Sequence, residues 1–278
     1  MLGINLKVAG VGDNTVDIYT ERGECFPGGN CVNFAVFSRR LGVFASYIGV
    51  LGSDQNGQLL TEALRKEKVE LSRVQFSPRS NAAALVRHEN GDRIFISSDP
   101  STAQSLTITE QDLDFLSDYH LIHTSIYSKL EKYLSRLSSL NCQISYDFSN
   151  RFSMADVDRI LPWLNYGFFS WSGRHQRDIL PFLQQWTEIY PAELLITNGA
   201  DGSYALENDR LIHVPAQTLE PVDTMGVGDA FLTSYLIARL NGKTIKESLE
   251  EGTAFAAANC LKPGSFGYKQ IYHGSFSD

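Results

Sequence analysis

A glycine segment followed by an aspartate contains the residue types of a group-transfer site. Gly226 and Gly228 flank Val227, Asp229 follows at once, and residues 230–240 have an apolar helical pattern. Glycines before a helix let the backbone turn sharply and direct several N–H groups to one point, where the helix dipole favours negative charge. The Asp229 carboxylate could accept a proton from an attacking hydroxyl while the amides hold a transferring phosphoryl group. The alternative is an aspartate N-cap behind a glycine loop.

A second pair of glycines precedes another helical pattern. Gly28 and Gly29 stand before an amphipathic segment whose first turns contain Asn30 and Asn33. Together the two segments resemble the two signatures of the ribokinase-like (pfkB) carbohydrate kinase family. The first is similar to its N-terminal sugar-binding signature, and residues 223–229 are similar to its C-terminal phosphoryl-transfer signature, with valine where the family usually has alanine. The resemblance implies an ATP-dependent sugar kinase.

The resemblance also implies roles for individual residues. Asp229 would be the catalytic base, and the amides of Gly226, Val227 and Gly228 would form the anion hole. Asp17, after the first strand, matches the family's acceptor for sugar hydroxyls. Carboxylates and amides are suited to bind such hydroxyls, because they accept or donate hydrogen bonds in a fixed plane. The residues that we predict to bind the sugar are Asp13, Asn14, Asp17, Gly28, Gly29, Asn33 and Arg93.

The predicted nucleotide site combines several weaker segments. Residues 197–203 follow a buried-strand pattern and resemble the family's segment along the ATP phosphates and ribose, although the same residue types are typical of a turn. Residues 252–259 form a helix of small residues, which in relatives closes over the adenine together with the following loop. Ordinary close packing of helices would favour the same small residues. The residues predicted to bind ATP are Thr197, Gly199, Gly202, Thr224, Thr253 and Gly264.

The resemblance implies magnesium with ATP, because the phosphates need charge neutralisation and the ion keeps several waters. Many relatives organise this ion with an Asn-x-x-Glu segment after a central strand, but residues 169–173 at the corresponding place contain no carboxylate. Asp147 could support the ion indirectly, by contacting the groups that bind it, or could simply cap a strand. No metal ligand is assigned, and assistance by potassium at the loop around Asp223 and Met225 is left open.

Composition excludes several classes of protein. The chain has 278 residues, of which 43% are hydrophobic, and this suffices for a sizeable core. A net charge of −8 and an isoelectric point near 5.3 argue against a nucleic-acid surface. The N-terminus is too short and polar for a signal peptide, and no apolar run reaches the ~20 residues that span a bilayer. Four scattered cysteines indicate free thiols, so we expect a cytoplasmic protein without membrane or nucleic-acid partners.

Short apolar runs alternate with helical patterns, which predicts an α/β fold with a mainly parallel sheet between layers of helices. The signatures imply the ribokinase-like form of this three-layer fold. Ligands of such sheets bind beyond the carboxyl ends of the strands, where both glycine segments would lie. The predicted strands cover residues 6–11, 45–50, 121–124, 143–147, 167–170 and 193–197. The predicted helices cover residues 29–41, 57–69, 109–117, 154–164, 175–190 and 230–240.

Two stretches interrupt this alternation and predict a small separate sheet. Residues 16–22 are β-like where a helix would be expected, and residues 82–87 and 93–96 indicate a hairpin closed by an Asn-Gly turn. Kinases of the family carry such a β lid over the sugar and often use it to form a dimer, so a homodimer is expected here. The lid would comprise about residues 15–27 and 80–100 within one kinase domain, residues 1–278.

Several shorter segments resemble one branch of the family, the fructoselysine 6-kinases, which phosphorylate the 6-hydroxyl of a fructose carried on an amino-acid amine. These segments are residues 12–19, 122–123, 147–149 and 223–226. Among them, His123 at a strand end could equally be a satisfied core residue. Fructokinase, ribokinase and nucleoside kinase are alternatives on the same scaffold, and Tyr19 and Phe95 are the lid residues that could stack a nucleoside base. A non-catalytic sugar-binding relative would lack the base or the glycine loop, and both are present.

A fructosamine substrate would also need a local cation. The amino acid brings a carboxylate that a bare sugar lacks, and Arg93 follows the predicted lid turn directly. Arginine can hold a carboxylate through two parallel N–H bonds. The alternative is a solvated arginine, or one paired with Asp92.

Overall fold

The structure is a computed structural model and describes residues 6–89, 92–99 and 106–272. Its strands, numbered along the chain, are β1 (Lys7–Val11), β2 (Thr15–Tyr19), β3 (Glu24–Gly28), β4 (Phe44–Ile48), β5 (Val50–Gly52), β6 (Gln75–Ser77), β7 (Ala83–Glu89), β8 (Asp92–Asp99), β9 (Leu121–Ser125), β10 (Gln143–Asp147), β11 (Tyr166–Ser170), β12 (Glu193–Thr197), β13 (Ser203–Glu207), β14 (Arg210–Val214) and β15 (Gln270–Ile271). Its α-helices are α1 (Asn30–Arg40), α2 (Gln55–Lys66), α3 (Glu110–Leu116), α4 (Leu134–Leu137), α5 (Met154–Ile160), α6 (Ile179–Thr187), α7 (Val227–Leu240) and α8 (Ile245–Cys260).

Eight of the described strands form the main sheet, in the order β14-β13-β12-β11-β10-β9-β1-β4. The six strands from β12 to β4 are parallel, and β13 and β14 add an antiparallel hairpin at one edge. Neighbouring residues of a strand face opposite sides, because Val8 and Leu121 belong to one hydrophobic core and Ala9 and Ile122 to the other. This two-sided burial explains the continuous apolar runs in the sequence.

Helices cover both faces of the sheet. α1, α2, α7 and α8 contribute to the first core, and α3, α4, α5 and α6 contribute to the second. The predicted three-layer α/β architecture with a mainly parallel sheet is therefore confirmed.

The helices differ in how their N-termini are satisfied. Four of them begin after a side chain that accepts a first-turn N–H, and these caps are Asp54, Thr109, Ser153 and Thr244. In contrast, α1 and α7 begin after Gly29 and Gly226, with no capping side chain of their own. Their first N–H groups are therefore satisfied by other parts of the protein, by water or by a ligand.

Two parts of the main layer differ from the prediction. The strand predicted over residues 45–50 is divided, since β4 ends at Ile48, the chain bends at Gly49, and β5 pairs with β6 in a separate two-stranded sheet. The hairpin of β13 and β14 was not predicted. Its turn uses Asn208 and Asp209 at positive φ (49° and 62°), and these residue types do not distinguish a hairpin from a loop. The small-residue helix predicted from residue 252 already begins at Ile245, and the other predicted elements are present within a few residues of their expected bounds.

A five-stranded sheet, in the order β15-β3-β2-β7-β8, lies outside the main one. The predicted hairpin is confirmed, because β7 and β8 pair antiparallel as far as Glu89 and Asp92, although the turn at 90–91 lies outside the described residues. Pro27 and Gly28 belong to β3 and pair with β2, so the turn into α1 begins only at the second glycine of the pair. The Pro-Gly-Gly residues alone indicate a turn, since the pairing of β3 depends on distant neighbours.

The cysteines are free thiols, as their spacing predicted. Cys25, Cys31 and Cys260 are buried, and Cys142 is partly buried. A separate observation concerns membranes: among the described residues, no helix is both long and apolar enough to cross a lipid bilayer.

Candidate active site

The two glycine segments meet at the carboxyl edge of the main sheet. The side chain of Asn30, the first residue of α1, is hydrogen-bonded both to Asp147 at the end of β10 and to Asp229 in the first turn of α7. Its backbone N–H donates to Asp13, which follows β1. Segments that are far apart in the chain thus supply one cluster of polar side chains.

Gly29 allows α1 to start at this place. Its φ is 106°, and a Cβ atom there would lie 2.4 Å from the Asn14 Cα and 2.8 Å from the Asn14 carbonyl carbon. Other residue types rarely adopt this backbone conformation, and here the neighbouring backbone also leaves no space for a side chain. The first turn of α1 is therefore positioned by a direct approach of two backbone segments.

The Asp229 carboxylate is held between two amides of α1. Asn30 donates from Nδ2 to Oδ1 at 2.8 Å, and Asn33 donates from Nδ2 to Oδ2 at 2.5 Å. The two asparagines are three positions apart, so they project from the same face of the helix. Asp229 itself is only partly buried. Its carboxylate is therefore anchored and still accessible, which suits acceptance of a proton from a hydroxyl bound beside it.

The Asn33 amide has an unused acceptor. Its Oδ1 is buried and has no hydrogen-bond partner in the described part of the chain. A buried polar atom left unpaired costs about 1–3 kcal/mol, which a donating ligand hydroxyl would recover. The position thus supports the predicted contact of Asn33 with a sugar.

Asp147 is a second carboxyl group at the site. Its Oδ2 accepts from Asn30 at 2.8 Å, and its Oδ1 accepts the backbone N–H of Ser149 at 2.7 Å. Desolvation, followed by the negative charge of Asp229, raises the pKa of Asp147 to about 7. Near neutral pH this carboxyl group therefore exchanges between its charged and neutral forms.

We expect Asp147→Asn to change how the stability of the protein depends on pH. Because the folded pKa is raised, the folded state binds the proton more tightly, and the contribution of Asp147 to the free energy of unfolding falls as the pH rises from about 4 to 7. Asparagine removes the charge, but its NH2 group must face one of the two N–H donors that the carboxylate accepts, which adds a cost that does not depend on pH. Between pH 4 and pH 8, urea unfolding should show the free energy of unfolding of the variant rising by roughly 1–3 kcal/mol relative to that of the wild type. A difference between variant and wild type that does not depend on pH would contradict this account.

His123, in β9, is fully buried next to this cluster. Its Nδ1 lies 2.7 Å from the Ser145 Oγ, and its Nε2 lies 2.8 Å from the Asn30 Oδ1. Burial lowers the pKa of His123 to about 3, so the ring is neutral at physiological pH. The interpretation of His123 as a satisfied core residue is correct for its burial, but one of its partners also binds Asp229.

Asp13 is engaged within the protein. Its Oδ2 accepts the backbone N–H of Asn30 at 2.8 Å and so caps α1 from a neighbouring segment. Its Oδ1 accepts from the hydroxyls of Ser125 at 2.6 Å and Ser128 at 2.9 Å. These contacts favour a structural role for Asp13 over the predicted contact with the sugar.

Asn14 is engaged in the same way, whereas Asp17 faces the glycine turn. Asn14 donates both amide hydrogens, to the Tyr47 hydroxyl at 2.9 Å and the Val50 carbonyl at 2.8 Å, which favours a structural role. Asp17 is buried in β2, and a Cβ atom on Gly28 would lie only 2.6 Å from its Oδ2. A side chain at position 28 would therefore collide with the Asp17 carboxylate, whose contact with a sugar hydroxyl stays a prediction.

The loop before α7 folds around the carboxylate of Asp223, which is fully buried. Its Oδ1 accepts the Met225 N–H at 2.9 Å, and its Oδ2 accepts the Gly264 N–H at 2.9 Å and the Tyr19 hydroxyl at 2.7 Å. Gly264, predicted to bind ATP, is thereby joined to the predicted phosphoryl-transfer loop, and so is the lid through Tyr19.

The start of α7 presents backbone N–H groups to the site. The first hydrogen bond of the helix runs from Ala230 to the Gly226 carbonyl at 2.8 Å, so the N–H groups of Val227, Gly228 and Asp229 precede it. The Val227 N–H makes a long, 3.4 Å contact with a loop carbonyl, and Gly228 is exposed. Such a helix start can bind an anion, which supports the anion hole predicted there.

Tyr19 does not offer a surface for stacking a nucleoside base. Its ring is buried, packs edge-on against Phe26 with centroids 5.3 Å apart, and shares a small cluster with Val86 and Met225. Phe95, the other aromatic residue singled out in the lid, is 49% exposed on β8.

The remaining residues predicted to bind ATP lie further along the sheet edge or on α8. Thr197 ends β12, two strands from β10, and Gly199 and Gly202 flank the short turn that follows. Thr253 is partly buried in α8. Packing explains the glycine at the preceding position, 252, because a Cβ atom there would lie 2.9 Å from the ring of Phe231 in α7. Close helix packing is thus confirmed at that position, and the adenine contact stays a prediction.

A metal ion would find few protein ligands here. In residues 6–89, 92–99 and 106–272, no group of three or more His, Cys, Asp or Glu side chains could hold one. Arg174, just after the segment without the expected carboxylate, places its guanidinium over the rings of Phe152 at 4.1 Å and Trp171 at 5.3 Å. Both carboxylate oxygens of Asp147 already accept hydrogen bonds. The site therefore fits an ion that is carried mainly by nucleotide phosphates and water.

The sequence did not lead us to select Asn30 as a functional residue. A signal for it was present, because Asn30 and Asn33 lie one helical turn apart directly after the glycines. The carboxylates that Asn30 contacts could not be inferred, since they lie 117 and 199 residues away.

Comparisons with known proteins identify the family of this chain. A family profile described as "pfkB family carbohydrate kinase" matches residues 4–154 and 167–267. The fructosamine kinase FrlD of Bacillus subtilis (strain 168) is 35% identical over 272 residues, which cover 96% of this chain and 95% of that protein. A fructoselysine 6-kinase of Escherichia coli (strain K12) is 27% identical over 259 residues, which cover 93% of this chain and 99% of that protein.

A solved structure shows the same fold. The ribokinase of Arabidopsis thaliana, complexed with ribose and ATP, superposes with a TM-score of 0.79 over 94% of both chains at 18% identity. The predicted ribokinase-like form of the α/β fold is thereby confirmed.

Proposed function

We propose that this chain, which belongs to the pfkB family of carbohydrate kinases and is an ATP-dependent sugar kinase, phosphorylates the 6-hydroxyl of a fructosamine such as fructoselysine. The observation that carries the chemistry is the Asp229 carboxylate, held by two amides beside the first N–H groups of α7. The choice of substrate is supported by the similarity, over almost the full chain, to a fructosamine kinase and a fructoselysine 6-kinase.

The proposed reaction is an in-line transfer. Asp229 accepts the proton of the sugar hydroxyl as the hydroxyl oxygen bonds to the γ-phosphorus, while the bond from that phosphorus to the β–γ bridging oxygen breaks and ADP leaves. The N–H groups of Gly226, Val227 and Gly228 stabilise the charge of the transferring group. Magnesium, when bound with ATP, supplies neutralisation of the phosphate charges.

The sugar is proposed to lie between the lid and α1. Asn33 offers its unpaired Oδ1, and the carboxylate of Asp17, which lies against Gly28, accepts from a second hydroxyl. Asp13 and Asn14 form part of the frame that holds these residues. The nucleotide is proposed to lie on the other side of Asp229. It would contact the residues predicted to bind ATP, which are Thr197, Gly199, Gly202, Thr224, Thr253 and Gly264.

Arg93 is the proposed contact for the amino-acid carboxylate of a fructosamine. It lies in β8 opposite His88 of β7, near the turn of the lid hairpin, and its side chain lies outside the described residues. A chain with a net charge of −8 needs a local cation to accept such a carboxylate.

We expect a substrate panel to separate the alternatives. ADP release should be faster with fructoselysine than with fructose, ribose or nucleosides, and Arg93→Ala should lower kcat/KM for fructoselysine about tenfold or more while changing that for fructose little. Arg210→Ala, an exposed arginine on β14, is the matched control. Faster turnover of fructose than of any fructosamine would leave only a general sugar kinase. Equal losses on both substrates would exclude Arg93 as the carboxylate contact.

A homodimer through the lid is also proposed. β8 is an edge strand and exposes Ile94, Phe95 and Ile96 at 40%, 49% and 52%. An apolar sheet edge of this kind is a surface that a partner chain covers. Light scattering should give twice the chain mass of 31.0 kDa, and Phe95→Glu should yield the monomer. A monomeric wild type would exclude the dimer.

A further inference from the structure

We infer that Asn30 is a positioning residue that holds the carboxylate of Asp229, and that His123 sets the orientation of the Asn30 amide. The inference rests on the proposed role of Asp229 as the base. Asn30 is 6% exposed, at the junction of α1, β10 and α7. It acts on the reacting hydroxyl through Asp229.

The hydrogens of the Asn30 amide have one satisfactory arrangement. Its Nδ2 carries two hydrogens, and two carboxylate oxygens lie within reach, Asp147 Oδ2 and Asp229 Oδ1, each at 2.8 Å. Rotating the amide by half a turn would set its oxygen against both carboxyl groups. The amide oxygen must therefore face the other way, toward the Nε2 of His123 at 2.8 Å.

The histidine selects this orientation. An amide oxygen can only accept, so Nε2 must carry the single proton of the neutral ring, and Nδ1 then accepts the hydroxyl proton of Ser145 at 2.7 Å. His123 has 0% exposure, and its ring packs against Phe34 with centroids 4.7 Å apart. Each hydrogen bond from Ser145 through His123 and Asn30 to Asp229 thus has a fixed direction, and Ser145, His123 and Asn30 are buried.

The backbone of Asn30 is held as firmly as its side chain. Its N–H donates to Asp13 at 2.8 Å, and Asp13 accepts in turn from Ser125 and Ser128. Asn33 holds the second oxygen of Asp229 at 2.5 Å. With both oxygens anchored to α1, the carboxylate keeps one orientation, and an error of about 1 Å in the position of such a group can cost on the order of 10²-fold in rate.

The test compares variants that remove or retain the donor to Asn30. Gln can place its Nε2–H near the position of the imidazole Nε2–H, whereas Leu cannot donate. We expect Asn30→Ala and His123→Leu to lower kcat by about 10–100-fold with the KM for ATP nearly unchanged, and His123→Gln to retain most of the wild-type kcat. Asn241→Ala, at the opposite end of α7, is the control. Wild-type kcat in His123→Leu, or equal losses in His123→Gln and His123→Leu, would overturn the inference.

A spectroscopic measurement tests the same point on the unaltered protein. Histidine labelled with ¹⁵N should show one imidazole, assigned by its loss in His123→Gln among the six histidines, that is protonated on Nε2 alone between pH 5 and 8. A signal from the Nδ1–H form, or from a doubly protonated ring at pH 7, would overturn the proposed orientation even if His123→Leu and Asn30→Ala fail to fold.

The kinetic test also separates this inference from the function on which it rests. It uses whichever phosphoryl acceptor the substrate panel identifies, and Asp229→Asn is measured alongside. An unimpaired Asp229→Asn enzyme removes the proposed base. An impaired Asp229→Asn enzyme together with unimpaired Asn30→Ala and His123→Leu enzymes overturns only the role of Asn30.

Discussion

Asp229→Asn should lower kcat by about 10²-fold or more while the protein folds and binds ATP. Asparagine has the same shape but cannot accept a proton from the sugar hydroxyl. Of the two amides that hold position 229, that of Asn33 can rotate, because its Oδ1 has no partner in the described chain, and can then accept from the new amide. Asn30 keeps its own orientation and still donates. The substitution therefore removes the base and keeps both contacts of position 229 with α1, while Asn33 then presents its Nδ2 instead of its Oδ1 to the sugar.

The measurement combines ADP release under saturating substrates with calorimetric titration of ATP. An unchanged dissociation constant for ATP together with the expected loss of kcat would place the defect in the chemical step. If a correctly folded Asp229→Asn protein turned over at a near-normal rate, Asp229 would be excluded as the base, and its position at the start of α7 would be explained by capping alone.

Gly29→Ala should be the most destabilising of the substitutions considered, by more than about 3 kcal/mol, and should also abolish activity. The added Cβ would lie 2.4 Å from the Asn14 Cα, so either the turn after β1 or the start of α1 must move. Any such movement displaces Asn30 and Asn33, which hold Asp229.

The matched control stands at the other end of the same helix. Gly42 also has a positive φ, 82°, but a Cβ atom there would have nothing within 4 Å. Gly42→Ala should therefore cost only the conformational term, about 1–2 kcal/mol. The free energy of unfolding in urea gives the difference between the two variants, and equal losses would show that the close approach at Gly29 contributes nothing.

The parts of the site that could be predicted depend on local constraints. A glycine at positive φ before a helix and a carboxylate in the first helical turn are recognisable from neighbouring residues, so Gly29, Gly226 and Asp229 were identified together. The layers of the fold were predictable for the same reason, since the continuous apolar runs of the parallel strands report burial on both faces. The strand β3 could not be predicted from neighbouring residues, because its Pro27 and Gly28 form a strand only through pairing with β2.

Asp13 and Asn14 were predicted to bind the sugar, and tertiary contacts favour a structural role for both. A carboxylate after a strand can bind a sugar or cap a helix, and the choice depends on the position of α1, which brings the N–H of Asn30 within 2.8 Å of Asp13. The side-chain amide of Asn14 donates instead to Tyr47 in β4 and Val50 in β5, so its role depends on how these strands assemble around it.

By itself, the sequence determined the family signatures, the α/β pattern and the residue that is proposed to accept the proton. Only the tertiary structure decided which groups hold that residue in place. Asn30 lies 93 residues from His123, 117 from Asp147 and 199 from Asp229, yet each contact is 2.8 Å long. Hydrogen bonds depend on differences of a few tenths of an ångström, and such distances between α1, β9, β10 and α7 exist only after the whole sheet has assembled.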